Sequence, residues 1–98
     1  MIVEVAVLQV RKGQAKSFEA DFKLASQYIR SIPGYHSHSL LKCMEQENKY
    51  ILVAHWQKLE DHTVGFRQSP QYEQWRELLH HYYDPFPVVE HYQEIILT

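Results

Sequence analysis

The stretch Lys49-Tyr50-Ile51-Leu52-Val53-Ala54-His55-Trp56 carries apolar side chains at both parities, with Tyr50, Leu52, Ala54 and Trp56 on one strand face and Ile51 and Val53 on the other. Successive side chains of a strand point to opposite faces, so a strand that is apolar on both is covered on both and lies inside a sheet. Only one other stretch has this character, Ile2 to Val10, which reads IVEVAVLQV. These two are the candidate central strands, and what covers the second face of each decides the architecture.

Working outward, Arg11 and Lys12 close the first strand and Gly13 supplies a turn. From Gln14 to about Ile32, Phe18, Phe22, Ala25 and Ile29 recur at spacings of four, three and four, with Leu24, Tyr28 and Ile32 broadening the stripe. That period predicts an amphipathic helix lying on a sheet, stopped by Pro33 and Gly34. Tyr35 to Met44 reads as a strand that His36, Ser37, His38 and Ser39 leave half wetted. The short Glu45 to Asn48 connection then pairs it with the organising strand as a hairpin. A short helix is expected over Leu59 to Arg67. A second begins with Ser69 as N-cap and Pro70 at the first helical position, with Tyr72, Trp75, Leu79 and Tyr82 along one side. Asp84 to Pro87 is an extended turn, and Val88 to Leu97 is the last predicted strand.

The order is β-α-β-β-α-β, an α+β, ferredoxin-like arrangement with an antiparallel sheet, in which each crossover spans one strand and leaves the first and third strands central. The two doubly apolar stretches are those strands. Both helices pack on one face, so the chain lacks a layer for the other; a second copy of itself is the expected partner, a homodimer through the sheet face, the alternative being a monomer in which the long turn or the C-terminus folds over that face.

A chain of 98 residues is one domain, here spanning 1–98. A formal net charge of -2 without a basic run argues against nucleic acid, and no stretch is apolar enough to span a membrane. The apolar opening contains Glu4 and no small-residue cleavage pattern, so it reads as strand and not as signal peptide. The single cysteine, Cys43, excludes an intrachain disulfide and fits a cytoplasmic protein.

From Trp56 to Leu79 the segment resembles the antibiotic biosynthesis monooxygenase family: a strand ending in Trp56, an acidic helix start at Glu60 and Asp61, and Ser69-Pro70-Gln71-Tyr72 opening the next helix. Ile32-Pro33-Gly34 before the second strand fits as well. The resemblance implies a dimeric α+β barrel and cofactor-independent oxygenation of phenols or quinols, or haem degradation in one branch. The chain departs from the family at Ala54, where Glu is frequent, and at Phe66, where His is frequent; His62 lies one turn before Phe66. In the haem-degrading branch a helical His binds iron. The comparable region here offers Trp75 and Arg76, with His80 and His81 a turn, about 5 Å, further on.

Dioxygen reacts slowly with closed-shell organic molecules, and a protein without flavin or metal can assist only if the substrate itself donates an electron, as an ionised phenol does. Such a site needs an apolar cavity with aromatic walls, a group that positions ring oxygens, and a base near neutrality. Histidine, with an ordinary pKa of about 6.5, is the cheapest base. The expected catalytic residues are His62 first and His55 second, with Arg67 holding a substrate oxygen unless it pairs with Glu60 or Asp61. Trp56, Phe66, Tyr72 and Trp75 are the expected walls around a small aromatic substrate, with molecular oxygen as co-substrate and neither cofactor nor metal. His36 and His38 share a strand face in this reading, but two imidazoles fall short of a zinc set. The alternative is a non-oxygenating enzyme or a small-molecule binding protein on the same barrel. A cavity above roughly 300 Å³ with converging polar groups separates these from a structural dimer whose aromatic residues fill the space.

Overall fold

In the computed structural model, which describes residues 1–98, β1 (Ile2–Gln9) and β3 (Lys49–Trp56) pair antiparallel at the centre of a sheet of order β2-β3-β1-β4. β2 (Tyr35–Lys42) and β4 (Val89–Gln93) are the edges, and every pairing is antiparallel. α1 (Ala15–Arg30) and α2 (Pro70–Leu79) complete the ferredoxin-like α+β topology. The parity of each central strand decides which face the helices take. Glu4, Ala6 and Leu8 of β1 and Tyr50, Leu52, Ala54 and Trp56 of β3 are buried, and Phe18, Phe22, Ala25 and Ile29 of α1 are buried with them.

The opposite face carries Val3, Val5 and Val7, Ile51 and Val53, and Leu41, and no element of the chain lies on it; Val7 and Leu41 are 41% and 52% exposed. Polar neighbours Ser37, Ser39 and His55 share this face through their register.

Three expectations are corrected. The helix predicted over Leu59 to Arg67 is a six-residue π-helical segment, Asp61–Phe66, in which the Arg67 amide reaches back to the His62 carbonyl at 3.2 Å. The last strand ends at Gln93 and not at Leu97. Gln93 pairs with Ile2, the first residue of β1, so the residues beyond it have no ladder partner, and Ile95, Ile96 and Leu97 are exposed. His36 and His38 do not share a face. An irregularity between Tyr35 and Ser37 shifts the register, sending His36 toward Ser37 and His55 while His38 turns inward to Ser26 and Tyr35.

The loop before β2 depends on Gly34, whose φ is +88° and whose missing Cβ leaves room for the Asp61 carboxylate. Asp61 in turn accepts from the Lys58 amide at 3.0 Å, tying the π-helical segment to this turn. The α2 start is as read from the sequence: Ser69 Oγ accepts from the Tyr72 amide at 3.1 Å with Pro70 at the first helical position. The same hydroxyl donates to the Phe66 carbonyl at 2.6 Å. Ser69→Ala should therefore cost about 0.5 to 2 kcal/mol in denaturant unfolding; an unchanged midpoint would show that the cap contributes nothing.

Candidate functional site

Between the inner sheet face, the π-helical segment, α2 and the chain from Tyr83 to Val89 lies a cavity of about 420 Å³. Its floor is Glu4, Ala6, Leu8 and Leu52, which alternate inward from the two central strands. Phe66, Tyr72 and Trp75 form an aromatic wall, with Phe66 edge-on to Tyr72 at 5.1 Å and to Trp75 at 5.5 Å between ring centroids. His80, Tyr83, Phe86 and Pro87 close the far side, where the His80 and Phe86 rings stand 5.0 Å apart. Trp75 also packs against Phe22 of α1, so one indole serves both core and wall.

The π-helical turn sets the polar side of the cavity. A backbone bond from residue 67 to residue 62 widens the turn, so His62 and Phe66 project in nearly the same direction and Arg67 follows at the rim. Arg67 is exposed and takes part in no ion pair, so the expected alternative of a bridge to Glu60 or Asp61 is absent. Its guanidinium is left available to a ligand's oxygen atoms.

A polar chain runs from behind the cavity, through its lining, to the edge of the sheet. Trp56 Nε1 donates to Glu4 Oε1 at 2.9 Å, the same oxygen lies 3.4 Å from His62 Nε2, and His62 Nδ1 is 2.8 Å from Nε2 of His91 on β4. The Trp56 indole stacks under His62 with centroids 5.4 Å apart and planes at 25°. Burial raises the Glu4 pKa, outweighing the lowering by the Trp56 hydrogen bond and by Arg67. Burial, then the charges of Arg67 and His91, push His62 down to about 3. The 3.4 Å contact would favour an ion pair, yet side chains only 4% and 5% exposed lose more hydration on charging than that contact returns, so His62 is held as the neutral imidazole. His91 is lowered in the same way, by burial and then Arg67.

Of the expected site residues, His62, Arg67, Phe66, Tyr72 and Trp75 are brought together around the cavity. Two are not. His55 occupies the outer sheet face, paired across to Val3 and Ser37, because its parity opposes that of Ala54 and Trp56. Trp56 is fully buried behind the cavity and holds Glu4 without forming a wall. Glu4, His80, Tyr83 and Phe86 line the cavity and His91 adjoins His62, none of them among the expected site residues.

Residues 1–78 match the antibiotic biosynthesis monooxygenase family. The chain belongs to that family. It is 47% identical over 95 residues to YczJ of Bacillus subtilis strain 168, covering 97% of this chain and all of that protein. A Bordetella bronchiseptica crystal structure described as an antibiotic biosynthesis monooxygenase superposes with a TM-score of 0.92 at 32% identity, over 97% of each chain. SnoaB of Streptomyces nogalater, a cofactor-independent oxygenase, shares the fold with a TM-score of 0.71 at 22% identity over 99% of this chain and 94% of its own. No helix in this family member is long and apolar enough to cross a membrane.

Ala54, two residues before Trp56, is buried on the inner face of β3. Glu4 stands directly across the ladder from Ala54 on the same inner face. The signal for it was present: Glu4 shares parity with Ala6, Leu8 and Val10, and an acidic side chain on the buried face of a central strand needs a partner.

Proposed function

We propose that this chain is a cofactor-independent monooxygenase that converts a small electron-rich phenol or hydroquinone to a quinone. The observation that carries this reading is the convergence of Glu4, His62 and the unpaired Arg67 on one cavity walled by Phe66, Tyr72 and Trp75. Its 420 Å³ exceeds the size that a collapsed structural dimer would leave and suits a one- or two-ring ligand. SnoaB, which has the same fold, is named a cofactor-independent oxygenase, and this supports the reaction class.

In this reading Arg67 holds a ring oxygen and the Glu4–His62 couple takes the phenolic proton. His62, held far below neutrality, is too weak to keep a proton alone, whereas Glu4, raised by burial, moves toward a useful basicity. The phenolate passes one electron to dioxygen, and the phenoxyl and superoxide radicals join through a new carbon–oxygen bond at an unsubstituted ring carbon. The proton returns to the terminal peroxide oxygen. Loss of the ring C–H proton with cleavage of the O–O bond releases water and leaves a carbonyl. One dioxygen is thus consumed for each quinone and each water formed, and the protein contributes orientation and charge placement.

The test is oxygen uptake with hydroquinones, naphthoquinols and polycyclic phenols, without added flavin or metal and with a chelator control. Stoichiometric uptake with quinone formation is expected. Binding of the same compounds without uptake would replace the oxygenase by a binding protein.

The same reading includes a homodimer that joins the uncovered sheet faces. It is supported by the apolar Val3, Val5, Ile51 and Val53 at the centre of that face and by the exposed Ile95, Ile96 and Leu97 beyond β4. Light scattering in dilute neutral buffer should give about twice the 11.7 kDa chain mass; a monomer persisting at high concentration would exclude it.

A further inference from the structure

His91 has no place in the reading above, yet it is bonded to its central residue. It sits on β4 directly across from Glu4 in the ladder, half-exposed, and its Nε2 lies 2.8 Å from His62 Nδ1. We propose that Glu4, His62 and His91 form a reversible proton relay, in which His91 stores the proton taken from the substrate and returns it to the peroxide. This inference rests on the oxygenase reading for its chemistry, but not for its geometry.

The two contacts of His62 are unequal. An N–H donating to a carboxylate closes to about 2.7–2.9 Å, whereas His62 Nε2 stands 3.4 Å from Glu4 Oε1. The formed hydrogen bond is the one to His91. With the hydrogen on His62 Nδ1, donated to His91 Nε2, the lone pair of His62 Nε2 faces the carboxyl group. When Glu4 has taken the phenolic proton, Glu4 can pass one proton to His62 Nε2 while His62 gives its Nδ1 proton to His91 Nε2. The carboxylate is restored, His62 stays neutral, and His91 becomes an imidazolium at the edge of the site. No electrons move, and the proton count is unchanged.

Reversal returns the proton to Glu4 and from there to the peroxide oxygen. It also restores both imidazoles to their starting tautomers without a ring flip, which the stacking of Trp56 on His62 would hinder. A one-way exit would leave His62 in the wrong tautomer after each turnover. The groups that face the relay are Trp56 from β3, Arg67 after the π-helical segment, and Tyr72 of α2 and Tyr83 near Glu4. Arg67 opposes charge on either imidazole, so the stored proton is held loosely enough to return.

The experiment has two arms. Imidazole nitrogen NMR of the uniformly labelled protein, titrated with acid, should show the His62 ring signals moving with protonation of His91, and that response should vanish in His91→Gln. A His62 ring indifferent to His91 overturns the relay whatever the activity. In the oxygen-uptake assay, His91→Gln should lose about tenfold or more, part of the 10²- to 10⁴-fold typical of acid–base groups, and free imidazole should restore much of the loss. Full activity without imidazole, or a loss that imidazole leaves untouched in a normally folded variant, overturns the storage role. If the rings respond as expected but no substrate consumes oxygen, the oxygenase reading fails and the hydrogen-bonded path stands.

Discussion

Replacing His62 by Gln, or Glu4 by Gln, should each lower oxygen uptake by roughly 10²-fold or more at unchanged fold, in the range expected for loss of a general base. Gln at position 4 keeps an oxygen for Trp56 Nε1, which donates there at 2.9 Å, so the indole remains satisfied while the acid–base function is lost. The two residues act on one proton, so the double variant should be scarcely worse than either single one. Multiplied losses would mean independent roles. Thermal melting of each variant separates chemistry from folding, because His62 also stacks on Trp56 and lies near Phe66. Full turnover in His62→Gln would remove that residue from the mechanism. Full turnover in Glu4→Gln would return the proton to a group on the other side of the cavity, where His80 is the remaining imidazole.

Phe18→Ala is expected to reduce stability by about 3 to 5 kcal/mol, the range for truncating a large buried aromatic side chain. Phe18 is wholly buried and lies 4.9 to 5.9 Å, centroid to centroid, from Phe22, Tyr50, Tyr82 and Tyr83. It therefore joins α1 to β3 and to the segment that follows α2, and its edge-to-face pairs with Phe22, Tyr82 and Tyr83 add to the burial energy. Tyr50 and Tyr82 cannot easily close the gap. Their hydroxyls donate to Glu19 and Asp21 on α1 at 2.5 Å, which fixes both rings at their outer ends. Urea unfolding at constant slope measures the loss; a change below about 1 kcal/mol would show that the cluster relaxes around the cavity. Tyr83 lines the functional cavity, so the same variant should also bind the aromatic panel less tightly.

The sequence by itself determined the element order, the central position of the strands Ile2–Gln9 and Lys49–Trp56, the cap at Ser69 and the uncovered sheet face. Each is a local signal: side-chain parity, helical period, or a Ser-Pro start. It also proposed Trp56, Phe66, Tyr72 and Trp75 as the cavity wall from the resemblance to the family, and of these the last three line the cavity. Tertiary structure alone decided which face of each strand meets the helices, and with it the fate of His55 and Trp56. Periodicity assigns residues to two faces but does not say which face is inside when both are apolar. The polar chain from buried Trp56, Glu4 and His62 to the half-exposed His91 joins residues from three strands and a π-helical turn. No spacing along the sequence encodes that meeting, since ladder register across β1 sets it, with Ala54 on one side of Glu4 and His91 on the other. The end of β4 at Gln93 has the same cause: its apolar residues suit a strand as far as Leu97, but β1 offers no further partner once the ladder reaches Ile2.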